Sequence, residues 1–289
     1  MQFRTNIPAP QFPFKIEYGN KIMLLGSCFS DNIGNYLYRH RFDVCSNPFG
    51  VLFNPVSIDH AVRMLSDPES FDKDRYFLRT RDLWVSFAHH GKFSRENFDS
   101  FEENIDEQLE LAAQFLRETD YLFITFGTAF CYKYIPRDLI VANCHKIPNH
   151  QFDRIRLDVK KIVSLWNNTI KLVKELRPDI KIIFTVSPVR HAGDGMHENT
   201  LSKSILQLAV DKLVDNETTF YFPAYEFLMD DLRDYRFYAK DLSHPNDLAI
   251  DYLEEKVSET FFTPQTIERV RAISQENRFF NHRPLRGKQ

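Results

Sequence analysis

The stretch Lys21-Ile22-Met23-Leu24-Leu25-Gly26-Ser27-Cys28-Phe29-Ser30 runs an apolar segment directly into a glycine and two potential nucleophiles. Residues 21–25 lack polar alternation, the pattern of a strand buried on both faces. Phe29, Ile33, Tyr36 and Leu37 then recur at helical spacing. A strand that feeds a helix through so short a turn opens a β-α-β unit. A side chain at the start of that helix lies in the field of its unpaired N–H groups. That field lowers a thiol pKa and can stabilise an oxyanion. On position alone the plainer account has a slight edge: Ser27 caps the helix and Cys28 fills space.

Strand and helix periods alternate along the rest of the chain. Continuous apolar runs predict strands at 42–45, 121–126, 180–186 and 219–222, with a weaker one at 139–142. Helical spacing predicts helices at 55–65, 98–117, 158–176, 201–214 and 245–259. In the segment 158–176 the spacing turns Ile162, Leu165, Ile170 and Val173 inward. Residues 75–89 read as a β-rich insertion with two aromatic clusters. The pattern implies an α/β fold, a three-layer α/β/α sandwich with a mostly parallel sheet. Residues 1–20 read as an extended lead-in, 21–262 as a single domain with the insertion near 75–93, and 263–289 as a C-terminal extension with a basic ending.

Composition narrows the function classes. A net charge of −3, from 37 basic and 40 acidic residues, argues against a nucleic-acid partner. The 27 Phe and 12 Tyr exceed what a minimal core needs, leaving some to line a pocket or an interface. No window approaches a membrane span, which predicts no membrane partner, and the N-terminus lacks a signal-peptide h-region. Cys28, Cys45, Cys131 and Cys144 are scattered without CxxC or zinc-like spacing. These features together predict a cytoplasmic protein with reduced thiols and no metal.

In parallel sheets, ligands bind beyond the carboxyl ends of the strands. Those exits carry Gly26-Ser27-Cys28, then Asn47-Pro48-Phe49-Gly50, then Gly127-Thr128, then Ser187-Pro188-Val189-Arg190-His191. Before the last helix comes Asp241-Leu242-Ser243-His244-Pro245. An Asp three residues before a His can fix one imidazole nitrogen while the other faces a nucleophile. Alone, such a pair is more often a helix cap. A nucleophile after the first strand and this pair before the last helix make a combination.

That order resembles the SGNH, or GDSL-type, hydrolase superfamily, and GSCFS is similar to the signature of its GSCFA branch. The resemblance runs through NPFGVLFNP (47–55), FGTAFCY (126–132), ANCHK (142–146), TVSPVRH (185–191) and DLSHPN (241–246), over roughly residues 20 to 260. It implies a flavodoxin-like sheet. The superfamily's Gly-Asp-Ser falls on Gly26-Ser27-Cys28, which puts Cys28 in the nucleophile's place with Ser27 as the fallback. Its Asp-x-x-His matches Asp241 and His244, implying orientation by the first and acid–base work by the second. The oxyanion hole falls to the N–H groups of Cys28 and Gly50. The third-block asparagine is missing from Gly127-Thr128-Ala129-Phe130, which leaves Thr128, Asn54 or Asn143 as replacement donors. Asn143 and His145 read as pocket lining, and Arg190 and His191 as ligands for an anionic or carbonyl part of the substrate.

The activity implied is hydrolysis of an ester, thioester or other acyl bond in a small-molecule or glycan substrate, with no metal or organic cofactor. The cysteine and the missing asparagine keep rival readings in view: an acyltransferase, a degenerate ligand-binding module, and a scaffold that docks a partner through 75–89. No oligomeric state is implied.

Overall fold

The computed structural model describes residues 4–281 apart from 192 and 194. The ends of the expected lead-in (1–3) and of the basic tail (282–289) lie outside the described residues. The chain begins with β1 (Lys21–Gly26), α1 (Cys28–Arg39), β2 (Asp43–Ser46), α2 (Pro55–Ser66) and α3 (Lys73–Tyr76). It continues through β3 (Phe77–Thr80), β4 (Leu83–Ser86), α4 (Phe98–Glu118), β5 (Tyr121–Phe126), β6 (Phe130–Tyr134), β7 (Leu139–Val141) and β8 (Phe152–Arg156). Then follow α5 (Val159–Leu176), β9 (Lys181–Val186), α6 (Met196–Leu213), β10 (Thr219–Tyr221), α7 (Ala224–Glu226), α8 (Asp247–Phe261) and α9 (Pro264–Asn281).

The central sheet pairs β2-β1-β5-β9-β10, every pair parallel. Counted along the chain this is the flavodoxin-like order 2-1-3-4-5. Each inner strand is apolar along most of its length because alternate residues feed opposite layers. Met23 and Leu25 of β1, with Leu122, Ile124 and Phe126 of β5, join the core under α2, α4, α5 and α6. Ile22 and Leu24, with Tyr121 and Phe123, join the core under α1 and α8. The sheet is therefore the middle of three layers, as the sequence implies.

Three segments differ from the sequence reading. The weak strand at 139–142 is the edge of a separate antiparallel sheet, β7-β6-β8, whose other two strands the pattern does not reveal. β8 exposes Asp153, Arg154 and Arg156, and β6 buries only Phe130 and Cys131 before turning outward, so neither carries a long apolar run and cross-strand pairing completes them. In α5 the buried stripe is Ile162, Trp166, Thr169 and Val173; Leu165 and Ile170 sit half-buried at its flanks. The Trp166 indole fixes that rotation by donating to the Pro55 carbonyl at 3.1 Å. The extension after 263 contains α9, which buries Val270 and Ile273. The 75–89 insertion is the β3–β4 hairpin, turned by Arg81 and Asp82, both in the left-handed region. Among the described residues no helix is long and apolar enough to cross a membrane.

Candidate active site

The chain leaves β1 toward β2 on one side and later returns to β5 on the other. The switch point of the sheet, where such folds bind ligands, therefore falls where the carboxyl ends of β1 and β5 meet. Gly26 sits at that point with φ +145°, and a Cβ there would lie 2.3 Å from the Thr125 carbonyl oxygen. Its N–H donates to Asn47 Oδ1 at 2.8 Å, and its carbonyl accepts the Leu52 N–H at 2.8 Å. Only glycine fits so close to the neighbouring strand.

Ser27 is buried, and its Oγ accepts the Phe29 N–H at 3.3 Å. It is the N-cap of α1, a capping role that accounts for a serine at this position. Cys28 follows as the first helical residue, a half-buried free thiol whose own amide no other described residue takes up. Burial raises its pKa, and Asp31 adds to the effect. The Cys28 and Phe29 amides and the Lys203 cation pull the other way and lose. The resting sulfur is thus a thiol that needs a base.

Asp241 and His244 form the expected pair. Asp241 Oδ2 accepts from His244 Nδ1 at 2.6 Å, while Oδ1 accepts the N–H groups of Ser243 and His244, both at 3.0 Å. Those bonds, led by the His244 amide, hold the carboxyl at about 2. A carboxylate that stays ionised keeps the Nδ1 proton in place and leaves Nε2 as the working nitrogen. Both side chains are half exposed. Among the described residues no hydrogen bond joins the His244 ring to the Cys28 thiol.

Electrostatic reach links the two ends of the site. His191, after β9, is lowered to about 4 by burial first, then by Lys203 and by His244. Lys203 in turn feels Cys28. The Arg190 N–H donates to the Ser243 carbonyl at 3.4 Å, tying the β9 exit to the Asp241–His244 loop.

Several expected donors are committed elsewhere. The Gly50 N–H donates to the Asn47 carbonyl at 2.7 Å, closing a turn, so it is not a free oxyanion donor here. Its φ of +77° and its contact with His90 explain the glycine on structural grounds. Thr128 Oγ1 pairs with Ser202 Oγ at 3.1 Å and accepts the Phe130 N–H. Asn54 caps α2 through the Ser57 N–H at 2.9 Å. Asn143 Oδ1 accepts the His145 N–H at 2.8 Å, and His145 Nε2 lies 2.7 Å from the Ser86 carbonyl.

Two cavities flank the site. One, of about 380 Å³, is lined by Phe53, Asn54, Thr128, Phe130, Cys144 and His191, among others, and is walled by β6 and β7. It gathers three of the expected residues; Asn143 and His145 fall outside its lining. The other, of about 390 Å³, is lined by Arg190, Met229, Arg233, Tyr235, Tyr238 and Asp241, among others.

The sequence reading missed the part α6 plays. Its buried stripe is Asn199, Ser202, Lys203, Leu206, Ala209, Val210 and Leu213. Asn199 Oδ1 accepts the His191 N–H at 3.0 Å, and Ser202 Oγ accepts the Ala129 N–H at 2.7 Å. Lys203 Nζ donates to the carbonyls of Gly127 at 2.6 Å and Ser187 at 2.7 Å. The signal is in the spacing. Extending the apolar stripe 206/209/210/213 back by two turns lands on 203, 202 and 199, so these polar residues must point inward.

The model of the GSCFA family matches residues 21–257 of the chain. The chain belongs to the GSCFA family. No curated protein matches it in sequence. Among solved structures it is similar to a carbohydrate esterase family 3 protein from Talaromyces cellulolyticus, at 8% identity and a TM-score of 0.39, covering 88% of this chain and 99% of that one. It is also similar to the acetyl xylan esterase Est2A from the rumen bacterium Butyrivibrio proteoclasticus, at 13% identity and a TM-score of 0.40, covering 88% and 67%. The first three letters of the GSCFA name now have physical content in this chain. Gly26 allows the close approach to β5, Ser27 caps α1, and Cys28 takes the half-buried first position of the helix.

Proposed function

We propose that this GSCFA protein is a hydrolase of ester or thioester bonds that works through Cys28, His244 and Asp241. The observation that carries the reading is the Asp241–His244 bond of 2.6 Å, which leaves Nε2 as a base at the rim where Cys28 begins α1. In this mechanism His244 Nε2 takes the thiol proton as the sulfur bonds to the acyl carbon. The contact forms when substrate arrives, as catalytic hydrogen bonds tighten in the bound complex. The uncommitted Cys28 amide stabilises the oxyanion. The bond to the leaving group then breaks, and His244 returns its proton to that group. Water, deprotonated by His244, hydrolyses the thioester to a carboxylic acid and restores the thiol. The apolar cavity around Phe53 and Phe130 suits the acyl group, and the Arg190–Tyr238 cavity suits the leaving group.

Turnover of p-nitrophenyl acetate tests the proposal. Cys28→Ala is expected to remove the activity and His244→Ala to lower it by about 10²–10⁴-fold. Ser27→Ala should retain it, losing about 1 kcal/mol of stability from the cap. Activity that survives Cys28→Ala but not Ser27→Ala would reassign the nucleophile. A ligand-binding module is the second reading, favoured by the commitment of the Gly50 amide and the Thr128 hydroxyl to other partners. It predicts no turnover by the wild-type protein on any acyl ester tried, with unchanged binding in His244→Ala.

A further inference from the structure

Lys203 is 2% exposed and lies on the helix that backs the strand exits. Its Nζ bridges two backbone carbonyls, those of Gly127 and Ser187, the first residues after β5 and β9. Among the described residues no carboxylate pairs with it. A buried ammonium held only by neutral carbonyls is costly, and a hydrophobic side chain would serve packing better. Such a group is expected where a negative charge arises nearby. Gly26 is the register partner of Thr125, so the Gly127 carbonyl that Nζ holds lies at the strand exit beside the start of α1, and the titratable groups nearby are the Cys28 thiol and the His191 ring. Cys28 itself faces Asp31 on its own helix, and His191 faces His244. Of the two groups near Lys203, only Cys28 becomes an anion on losing a proton.

We propose that Lys203 is a positioning residue whose buried ammonium is the counter-ion of the Cys28 thiolate, while its two hydrogen bonds fix the strand exits around that sulfur. The inference rests on the reading of Cys28 as the reacting group. No proton passes through Lys203: the thiol proton goes to His244 or to solvent, and the ammonium stabilises the sulfur anion left behind. The Lys203 pKa stands at about 7, pushed down by burial and partly held up by the Cys28 charge, so the two groups favour each other's charged forms.

The test is the pH dependence of iodoacetamide alkylation at Cys28 in the free protein, mapped by mass spectrometry. Lys203→Met should move the Cys28 midpoint upward by about one pH unit, a tenfold slower reaction below it. Lys203→Arg should stay near wild type. Cys45 and Cys144 should react at unchanged rates, which reports an intact fold. An unmoved Cys28 midpoint in folded Lys203→Met overturns the proposal, and so do rates that rise together at all cysteines, the mark of a purely structural strut. Where Lys203→Met fails to fold, the reciprocal measurement decides. The NMR titration midpoint of the Lys203 ε-methylene should fall in Cys28→Ser, and an unchanged titration refutes the coupling. Since no substrate enters the experiment, failure of acyl turnover leaves this result intact, and His244→Ala separates loss of the base from loss of the counter-ion.

Discussion

A thiol at the first position of a helix ordinarily ionises easily, yet burial and the Asp31 carboxylate keep Cys28 protonated. In the proposed mechanism His244 therefore makes the nucleophile at the moment of attack. Position alone leaves Ser27 and Cys28 as rival suspects, the family resemblance favours Cys28, and the structure adds one hydrogen bond at Ser27. The Ser27 hydroxyl caps the helix, which leaves Cys28 as the accessible group. Another single residue contributes to the acid sensitivity of the fold. His89 is fully buried, stacks on Phe49 at 4.6 Å and holds Ser86 Oγ at 2.8 Å, and burial lowers it to about 3. The unfolded chain therefore takes up the proton first, so the stability contributed by neutral His89 is lost as pH falls from about 6.5 toward 3. Urea unfolding should show wild type losing roughly 3 kcal/mol more than His89→Phe between pH 7 and pH 4. Equal losses would place the acid sensitivity elsewhere.

Elements differ in how much of their role the sequence discloses. β1, β5 and β9 are legible because a strand buried on both faces must be largely apolar, and these three carry the longest such runs. α6 is legible as a helix but not as part of the site, because its inward polar residues look like the ordinary polar start of a helix until the stripe is extended to Lys203. β6 and β8 are illegible, since each buries only one or two residues and takes its place from pairing across the β7-β6-β8 sheet. The turn from β1 into α1 is sensitive to substitution. Gly26→Ala would drive a Cβ to within 2.3 Å of the Thr125 carbonyl at a φ of +145°. It should cost at least about 3 kcal/mol and lower the melting temperature, with the site distorted in whatever fraction folds. A melting temperature indistinguishable from wild type would show that β1 and β5 can separate at no cost.

At the scale of the whole molecule, the strand order makes the site. Because β1 pairs with β2 on one side and β5 on the other, the gap between strand exits falls at Gly26, and α1 begins there. The three-layer fold and that position are legible from the order of apolar runs. The Asp241–His244 pair is legible because both residues lie in one short turn. The oxyanion donors are not, because whether an amide is free depends on which carbonyl a turn brings to it. The Gly50 N–H closes the turn on Asn47, while the Cys28 N–H has no acceptor among the other described residues. The most direct test of the account traps the acyl enzyme. Brief incubation with a p-nitrophenyl ester, acid quenching and peptide mass mapping should place one acyl group on Cys28, with little or none in His244→Ala. Acyl label on Ser27, or label spread equally over Cys28, Cys45 and Cys144 and indifferent to His244, would contradict it.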